Sequence, residues 1–321
     1  MRTPFLLLTL LLFACGGGPV GISDEDEGKG EGEGSEQGFE CLREHCEYIE
    51  LGQQIKIRSP QMIGDSMVFS DGASDLKLYQ MKLEPDAEPK LITDDLESFV
   101  VHGGQVYTCG SQRLIRWSLD GSHRSLASCT GLVAAHSFAV YTSISELHSG
   151  PVSGIKRWQK IVEIRDDGST QEIHFNLEES YKQLFASDSH VCWTDWWGAN
   201  GCIDLRNDNA GGRNYDKIEL RALDDTTLYY RDGDGFLMRR DLNPYGQATV
   251  VISNSEKWEQ GSFIPDGPSI YLSSRASPWQ RLSRMNRDTL QREPIANIPG
   301  LIVGQSGEWL LLNWPLALLR K

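Results

Sequence analysis

The residues best suited to chemistry in this 321-residue chain are its seven cysteines and seven histidines, and their spacing limits what they can do. Cys15 stands apart near the N-terminal end. The other six, Cys41, Cys46, Cys109, Cys129, Cys192 and Cys202, form an even set, which in an oxidising compartment reads as disulfides. The sequence leaves their connectivity open, and pairing of nearest neighbours is the expectation. Cys192 and Cys202 flank Gly198 and Gly201, a spacing that can close a hairpin. Cys41, His45 and Cys46 together resemble part of a metal site, but structural zinc takes four ligands and no second ligand pair accompanies them. No metal and no cofactor is therefore assigned. The histidines (45, 102, 123, 136, 148, 174 and 190) are scattered and form no metal-ligand pair at helical spacing. They read as surface or turn residues, His102 before Gly103-Gly104 among them.

Other chemistry is equally thin. No Gly-x-Ser-x-Gly elbow presents a serine nucleophile. Asp232-Gly233-Asp234-Gly235 offers oxygens to Ca²⁺ but lacks a longer ligand series, and Asp and Gly are also the residues of hairpin turns. Asp166-Asp167-Gly168-Ser169-Thr170 partly resembles the Asp-box of sialidases and related proteins, itself a turn device, and reads as a strand-to-strand turn. The most unusual segment runs from Trp193 to Arg213, with Trp193, Trp196 and Trp197 among Asp195, Asn200, Asp204, Asn207, Asp208 and Asn209. Clustered Trp with amides can stack on sugars or anchor a protein partner. In the plainer account Trp193 fills an interface between structural units, Trp196 and Trp197 pack over it, and the polar run is a loop. If the chain has a binding face, Trp193, Trp196, Trp197 and Asn200 mark it, with Trp158 second.

The elements that would carry these residues repeat. An aliphatic residue followed by an aromatic recurs after a Gly- or Asp-containing turn, as Val68-Phe69, Val106-Tyr107, Val140-Tyr141, Leu228-Tyr229 and Ile270-Tyr271. Val191-Cys192-Trp193 and Trp309-Leu310 are weaker versions. Successive spacings are 38, 34, 51, 37, 42 and 39 residues. A mean near about 40 is the period of a four-stranded propeller blade. A second element follows the anchors, as in Leu114-Ile115-Arg116-Trp117, Leu237-Met238-Arg239-Arg240, Leu282-Ser283-Arg284-Met285 and, more loosely, Leu78-Tyr79-Gln80-Met81. Asp120-Gly121 and Asp167-Gly168 then turn the chain into a last strand such as Ser125-Leu126-Ala127. Each unit thus reads as four short strands, with a first strand such as Phe99-Val100-Val101 ahead of the anchor. Both faces of these strands carry apolar groups, as radial packing of sheets requires.

The expected fold is all-β, a β-propeller of about seven blades, or six if one weak unit is not a blade. The 51-residue spacing marks an insertion around Ser145 to Trp158. The last unit has room for three strands, and Gln54-Ile55-Lys56-Ile57 is the expected fourth. The body resembles bacterial propeller proteins, including those with Tyr-Trp-Thr-Asp repeats. Cys192-Trp193-Thr194-Asp195 matches three of the four motif positions, once.

The N-terminal end is of another kind. Arg2, the apolar run from Phe5 to Phe13 and Leu12-Phe13-Ala14-Cys15 follow the order of a secretory signal. The run is shorter than the roughly 20 apolar residues a spanning helix needs. Leu12, Ala14 and Cys15 resemble the lipobox of bacterial lipoproteins. That resemblance implies a signal peptide at 1–14, a membrane lipid on Cys15 and, with Gly16 rather than Asp next, the outer membrane over the inner. From 16 to 38 almost nothing is apolar, and seven acids face Lys29 alone, so the stretch cannot offset the entropy of ordering. Residues 15–40 read as the lipidated Cys and a flexible acidic tether, and 41–321 as the propeller. A net charge of −14 argues against a nucleic-acid partner. The reading is a non-catalytic binding or scaffold lipoprotein of the cell envelope, with an envelope protein or glycan as partner. The alternative is a saccharide-acting hydrolase or lyase using carboxylates of a propeller face, though no pair can be singled out among so many acids.

Overall fold

The computed structural model describes residues 39–43, 46–51, 57–71, 76–136, 139–150, 154–165, 167–176, 181–195, 199–206, 213–215, 218–225, 227–242, 246–252, 262–276, 279–298, 300–313 and 316–321. The signal, Cys15 and nearly all of the tether lie outside these residues.

Two short strands come first, β1 (Glu40–Cys41) and β2 (Tyr48–Glu50). Blade one is β3 (Arg58–Ile63), β4 (Ser66–Ser70), β5 (Leu78–Lys82) and β6 (Lys90–Thr93). Blade two is β7 (Ser98–His102), β8 (Gln105–Gly110), β9 (Arg113–Trp117) and β10 (His123–Ser128). Blade three is β11 (Val133–His136), β12 (Ala139–Gly150), β13 (Gly154–Ile164) and β14 (Thr170–Asn176). Blade four is β15 (Tyr181–Ala186), β16 (His190–Asp195), β17 (Asn200–Asp204) and β18 (Arg213–Tyr215). Blade five is β19 (Glu219–Asp224), β20 (Thr227–Arg231), β21 (Leu237–Asp241) and β22 (Thr249–Ile252). Blade six is β23 (Ser262–Asp266), β24 (Ser269–Ala276), β25 (Trp279–Asn286) and β26 (Arg292–Ile298). Blade seven begins with β27 (Ile302–Ser306), β28 (Trp309–Leu312) and β29 (Ala317–Arg320). All pairings are antiparallel. The first strands β3, β7, β11, β15, β19, β23 and β27 touch in cyclic order, with β27 returning to β3. The protein is a closed seven-bladed propeller.

The anchors occupy the second strand of every blade, and register explains their composition. Successive residues of a strand face opposite sides, so Val106 packs into the seam with blade one and Tyr107 into the seam with blade three. The apolar core is divided into seven clusters, one for each seam between neighbouring blades. A blade therefore needs apolar residues at consecutive positions, which is why the anchors are dipeptides. Each fully buried large side chain contributes about 1.5–3 kcal/mol.

The ring is closed by a different strand from the one the sequence pointed to. β2 pairs with β29, placing Tyr48 opposite Leu319, Ile49 opposite Leu318 and Glu50 opposite Ala317. Gln54-Ile55-Lys56-Ile57 does not supply this strand. Ile57 lies outside any strand, and 54–56 lie outside the described residues. Gln54-Ile55-Lys56-Ile57 alternates polar and apolar residues, whereas Tyr48 and Ile49 are consecutive apolar residues that face the two seams of blade seven, with Tyr48 stacked on Phe39. Just upstream, β1 adds a fifth strand to the outer edge of blade six. The six cysteines pair as neighbours, Cys41–Cys46, Cys109–Cys129 and Cys192–Cys202.

Candidate functional site

Blade four holds a hairpin braced by a disulfide and by side-chain hydrogen bonds. Cys192 on β16 lies directly opposite Cys202 on β17, with Cα atoms 4.1 Å apart, and the two are disulfide-bonded. One step further along, Trp193 lies opposite Gly201. A Cβ on Gly201 would overlap the indole, so glycine there lets Trp193 lie across the β17 backbone. The indole is only 5% exposed and stacks on His174 of blade three at 4.2 Å, with Tyr181 against it edge-on. Burial pushes the His174 pKa down, which favours a neutral ring in this stack.

Next in the hairpin, Thr194 donates its hydroxyl to Asn200 Oδ1 at 2.5 Å, while Asn200 Nδ2 donates to the Ile218 carbonyl at 2.8 Å. Asp195 then closes the mouth of the connection. Its N–H donates to the Ala199 carbonyl at 2.9 Å, and its carboxylate accepts the Ala199 N–H at 2.8 Å. Both Asp195 and Asn200 are 1% exposed. Trp193 and Asn200 are thus interior groups that hold the hairpin. Trp196 and Trp197 fall between Asp195 and Ala199 and lie outside the described residues.

The 51-residue spacing in the sequence corresponds to a long hairpin in the neighbouring blade. β12 and β13 stay in register from Val140 opposite Ile164 out to Gly150 opposite Gly154, with Trp158 opposite Glu146. At its base, Gln159 Oε1 accepts the Tyr181 N–H at 2.9 Å, tying blade three to the first strand of blade four. β12 and β16 hold the same place in their blades, so the tip of this hairpin and the β16–β17 connection emerge on the same face of the propeller.

The acidic motifs resolve as turns. The Ser169 hydroxyl and N–H both donate to the Asp167 carboxylate, the N–H to Oδ1 at 2.8 Å, and these bonds hold its pKa below the ordinary range. Gly168 there has a φ of +86°, a conformation that favours glycine. Asp166 lies outside the described residues. Asp232 Oδ1 accepts from the N–H groups of Asp234 at 3.1 Å and Phe236 at 2.9 Å. Among the described residues no group of three His, Cys, Asp or Glu side chains is arranged to hold a metal. A polar hollow of about 390 Å³ lies on blade six, bordered by Pro268, Ser269, Asn286 and Glu293, and there Arg284 Nε donates to Ser269 Oγ at 2.8 Å.

On the opposite face the structure shows a polar device missed at the sequence level. In four blades the last residue of the first strand is His or Asp, and a Tyr follows five positions later: His102 and Tyr107, His136 and Tyr141, Asp224 and Tyr229, Asp266 and Tyr271. Three of these turn residues also reach a charged side chain in the next blade. His136 Nδ1 lies 3.1 Å from Asp188, Asp224 lies 3.6 Å from Arg287, and Asp266 lies 2.8 Å from Lys321. In the seam between blades four and five, Ser187 and Ser189 donate to the Asp225 carbonyl instead. The sequence signal is His/Asp-x-x-x-x-Tyr, repeated four times. It was hidden because the anchors were sought as apolar pairs. The partners come from the following blade and have no fixed spacing.

No family model matches the chain, and no curated protein matches it. Solved structures do. An oligogalacturonate lyase in complex with manganese is similar over 86% of this chain and 90% of its own, at 13% identity and a TM-score of 0.53. An acylaminoacyl peptidase from Pyrococcus horikoshii is similar over 82% of this chain, at 9% identity and a TM-score of 0.53. The match covers 50% of the peptidase. BamB from Moraxella catarrhalis has a TM-score of 0.45 at 10% identity, over 81% of each chain. At such identities the likeness is one of fold alone.

Proposed function

We propose that this protein is a lipid-anchored binding or scaffold module of the cell envelope, and that it engages an envelope protein or glycan through the propeller face carrying Trp196, Trp197 and Trp158. The observation that carries this reading is the bracing below Trp196 and Trp197. A disulfide, a buried Asn200 and the Asp195 clamp fix both ends of a three-residue connection. The Asp195 clamp recurs at Asp232 and Phe236 in blade five, so the disulfide and Asn200 are what set this connection apart. Fixing the ends lowers the entropy lost when the aromatic pair engages a partner, and Trp is the residue type most often dominant in binding. Trp193 and Asn200 belong to the site as its support.

The lipid reading rests on Leu12-Phe13-Ala14-Cys15. Each buried acyl CH₂ contributes about 0.8 kcal/mol, and two or more chains hold stably. Gly16 after the lipidated Cys15 favours the outer membrane. The acidic, Gly-rich stretch to residue 40 then acts as a leash for a propeller working close to the surface.

The test is a crosslinked pull-down from a detergent extract of the native envelope, with disulfides intact. A specific protein partner, lost with Trp196→Ala/Trp197→Ala but kept with Trp117→Ala in blade two, supports the scaffold reading. Retention of envelope polysaccharide, equally sensitive to the pair, identifies a glycan partner. Turnover of that polysaccharide, abolished by changes to face carboxylates, would replace this reading with the hydrolase or lyase alternative. Labelling by a radioactive fatty acid that persists in Cys15→Ser would overturn lipidation at that residue.

A further inference from the structure

We propose that two copies of this chain associate through the free edge of β12, joining their long hairpins into one four-stranded sheet. Within blade three, β11 pairs with β12 only as far as Thr142, and β14 pairs with β13 only from Gln159. Glu146–Gly150 and Gly154–Trp158 therefore pair with each other and with no other strand among the described residues. Five residue pairs at ~3.4 Å each carry this ribbon about 17 Å past the four-stranded sheet. A lone two-stranded ribbon is at best marginally stable in water, and an unpaired edge is a template for another strand.

The two edges differ in what they permit. On β13 the sequence is Gly154-Ile155-Lys156-Arg157-Trp158. Antiparallel self-pairing about Lys156 would set Lys156 against the same residue of a second copy, and like charges placed opposite each other repel. Cations on an edge are a common device against pairing. On β12 the sequence is Ser145-Glu146-Leu147-His148-Ser149. Antiparallel self-pairing about Leu147 sets Leu147 opposite its own copy, Glu146 opposite His148 and Ser145 opposite Ser149. The edge is self-complementary in polarity and size, with a carboxylate facing an imidazole on either side of the Leu147 pair, as a two-fold interface requires. The register thus selects a second copy as the occupant, through β12 and not β13.

The experiment uses the chain from residue 15 onward, carrying Cys15→Ser so that no lipid confounds the mass. Sedimentation equilibrium is expected to show a monomer–dimer equilibrium. His148→Glu places two carboxylates opposite each other twice per dimer, and is expected to weaken association roughly tenfold. Adding Glu146→Lys to that variant returns opposite charges and should restore it. Replacing residues 146–158 by an Asn-Gly turn should leave a monomer with the circular dichroism of the parent, since the ribbon lies beyond the four-stranded part of the blade. A monomer at every concentration up to the solubility limit would overturn the proposal. So would a dimer indifferent to His148→Glu and to ribbon removal, or a failure of the charge swap to rescue.

Discussion

In blade three the Tyr141 hydroxyl lies 2.8 Å from His136 Nε2, and His136 Nδ1 lies 3.1 Å from Asp188 of blade four. The Tyr141 hydroxyl also bonds Glu163, so both ring nitrogens of His136 and the tyrosine hydroxyl have partners. In blade five the same positions hold Asp224 and Tyr229. Tyr229 is fully buried, and neither its hydroxyl nor Asp224 Oδ2 has a hydrogen-bond partner among the described residues. Burial raises the Asp224 carboxyl above its ordinary pKa of 3.8 despite Arg287, and pushes Tyr229 up to about 12. The repeat thus fixes where a polar pair sits, while the next blade decides whether the pair is satisfied. Seam three–four combines a bonded polar chain with stacked aromatics; in seam five–six a long ion pair and an Arg239 bond to the Arg287 carbonyl lie beside an apolar cluster in which Tyr229 meets Phe263.

The largest expected effect tests the aromatic part of the stronger seam. Trp193→Ala opens a cavity between blades three and four and should cost about 3–5 kcal/mol, read from denaturant midpoints at unchanged slope. Next is Cys192→Ser/Cys202→Ser, expected to cost about 2–3 kcal/mol. If seam three–four does not govern global unfolding, the first loss will fall well short of its value; the disulfide packs in seam four–five and reports on that seam instead. The paired hydroxyl deletions come third. Tyr141→Phe removes a buried hydroxyl bonded to His136 and Glu163 and should cost about 1–2 kcal/mol. Tyr229→Phe removes an orphaned hydroxyl and should be neutral to within about 0.5 kcal/mol or slightly stabilising. Equal losses from the two would erase the contrast between the seams.

The smallest effects are in pH dependence. A tyrosine whose folded pKa is raised contributes stability that is complete below the unfolded value of 10.0 and lost as pH climbs through about 12. Tyr229→Phe should therefore flatten the melting curve against pH across that alkaline window. Asp224 has the same sign in acid: the folded state holds the proton more tightly, so its contribution is complete below pH 3.8 and lost as pH rises through the raised folded pKa. Asp224→Asn should remove that loss, measured as a smaller fall in melting temperature on leaving acid. An unchanged profile would mean that Arg287 outweighs burial.

The blades were legible because a two-sided sheet forces consecutive apolar positions, and Val106-Tyr107 or Ile270-Tyr271 can hardly satisfy that demand without showing it. The neighbour pairing of cysteines was legible for a related reason: Cys192 and Cys202 sit on adjacent strands of one hairpin. The closing strand was less so: Tyr48-Ile49 is a consecutive apolar pair, but it lacks the Gly- or Asp-containing turn that precedes the anchors, and its two seams appear only in the fold. The burial of Trp193 and Asn200 was half visible. Their types fit both a binding face and an interior, and the deciding residue, Gly201, carries no side chain to announce it. The His136 and Asp224 devices stayed hidden because Asp188 and Arg287 lie in other blades, 52 and 63 positions away.

The chain enters the propeller through two edge strands in succession, first β1 on blade six and then β2 on blade seven. For a protein held at Cys15, tension along the leash would arrive at Glu40–Cys41, where β1 has two register pairs. Those pairs are the first to peel. The Cys41–Cys46 bond then carries the load past residues 42–45, so that this segment cannot lengthen the leash by the roughly 14 Å that four extended residues span. Force passes through sulfur to β2, which closes the ring. The disulfide is thus a mechanical stop, and under reducing conditions residues 42–45 would be released as slack before the same pull reached the strand that keeps the ring shut.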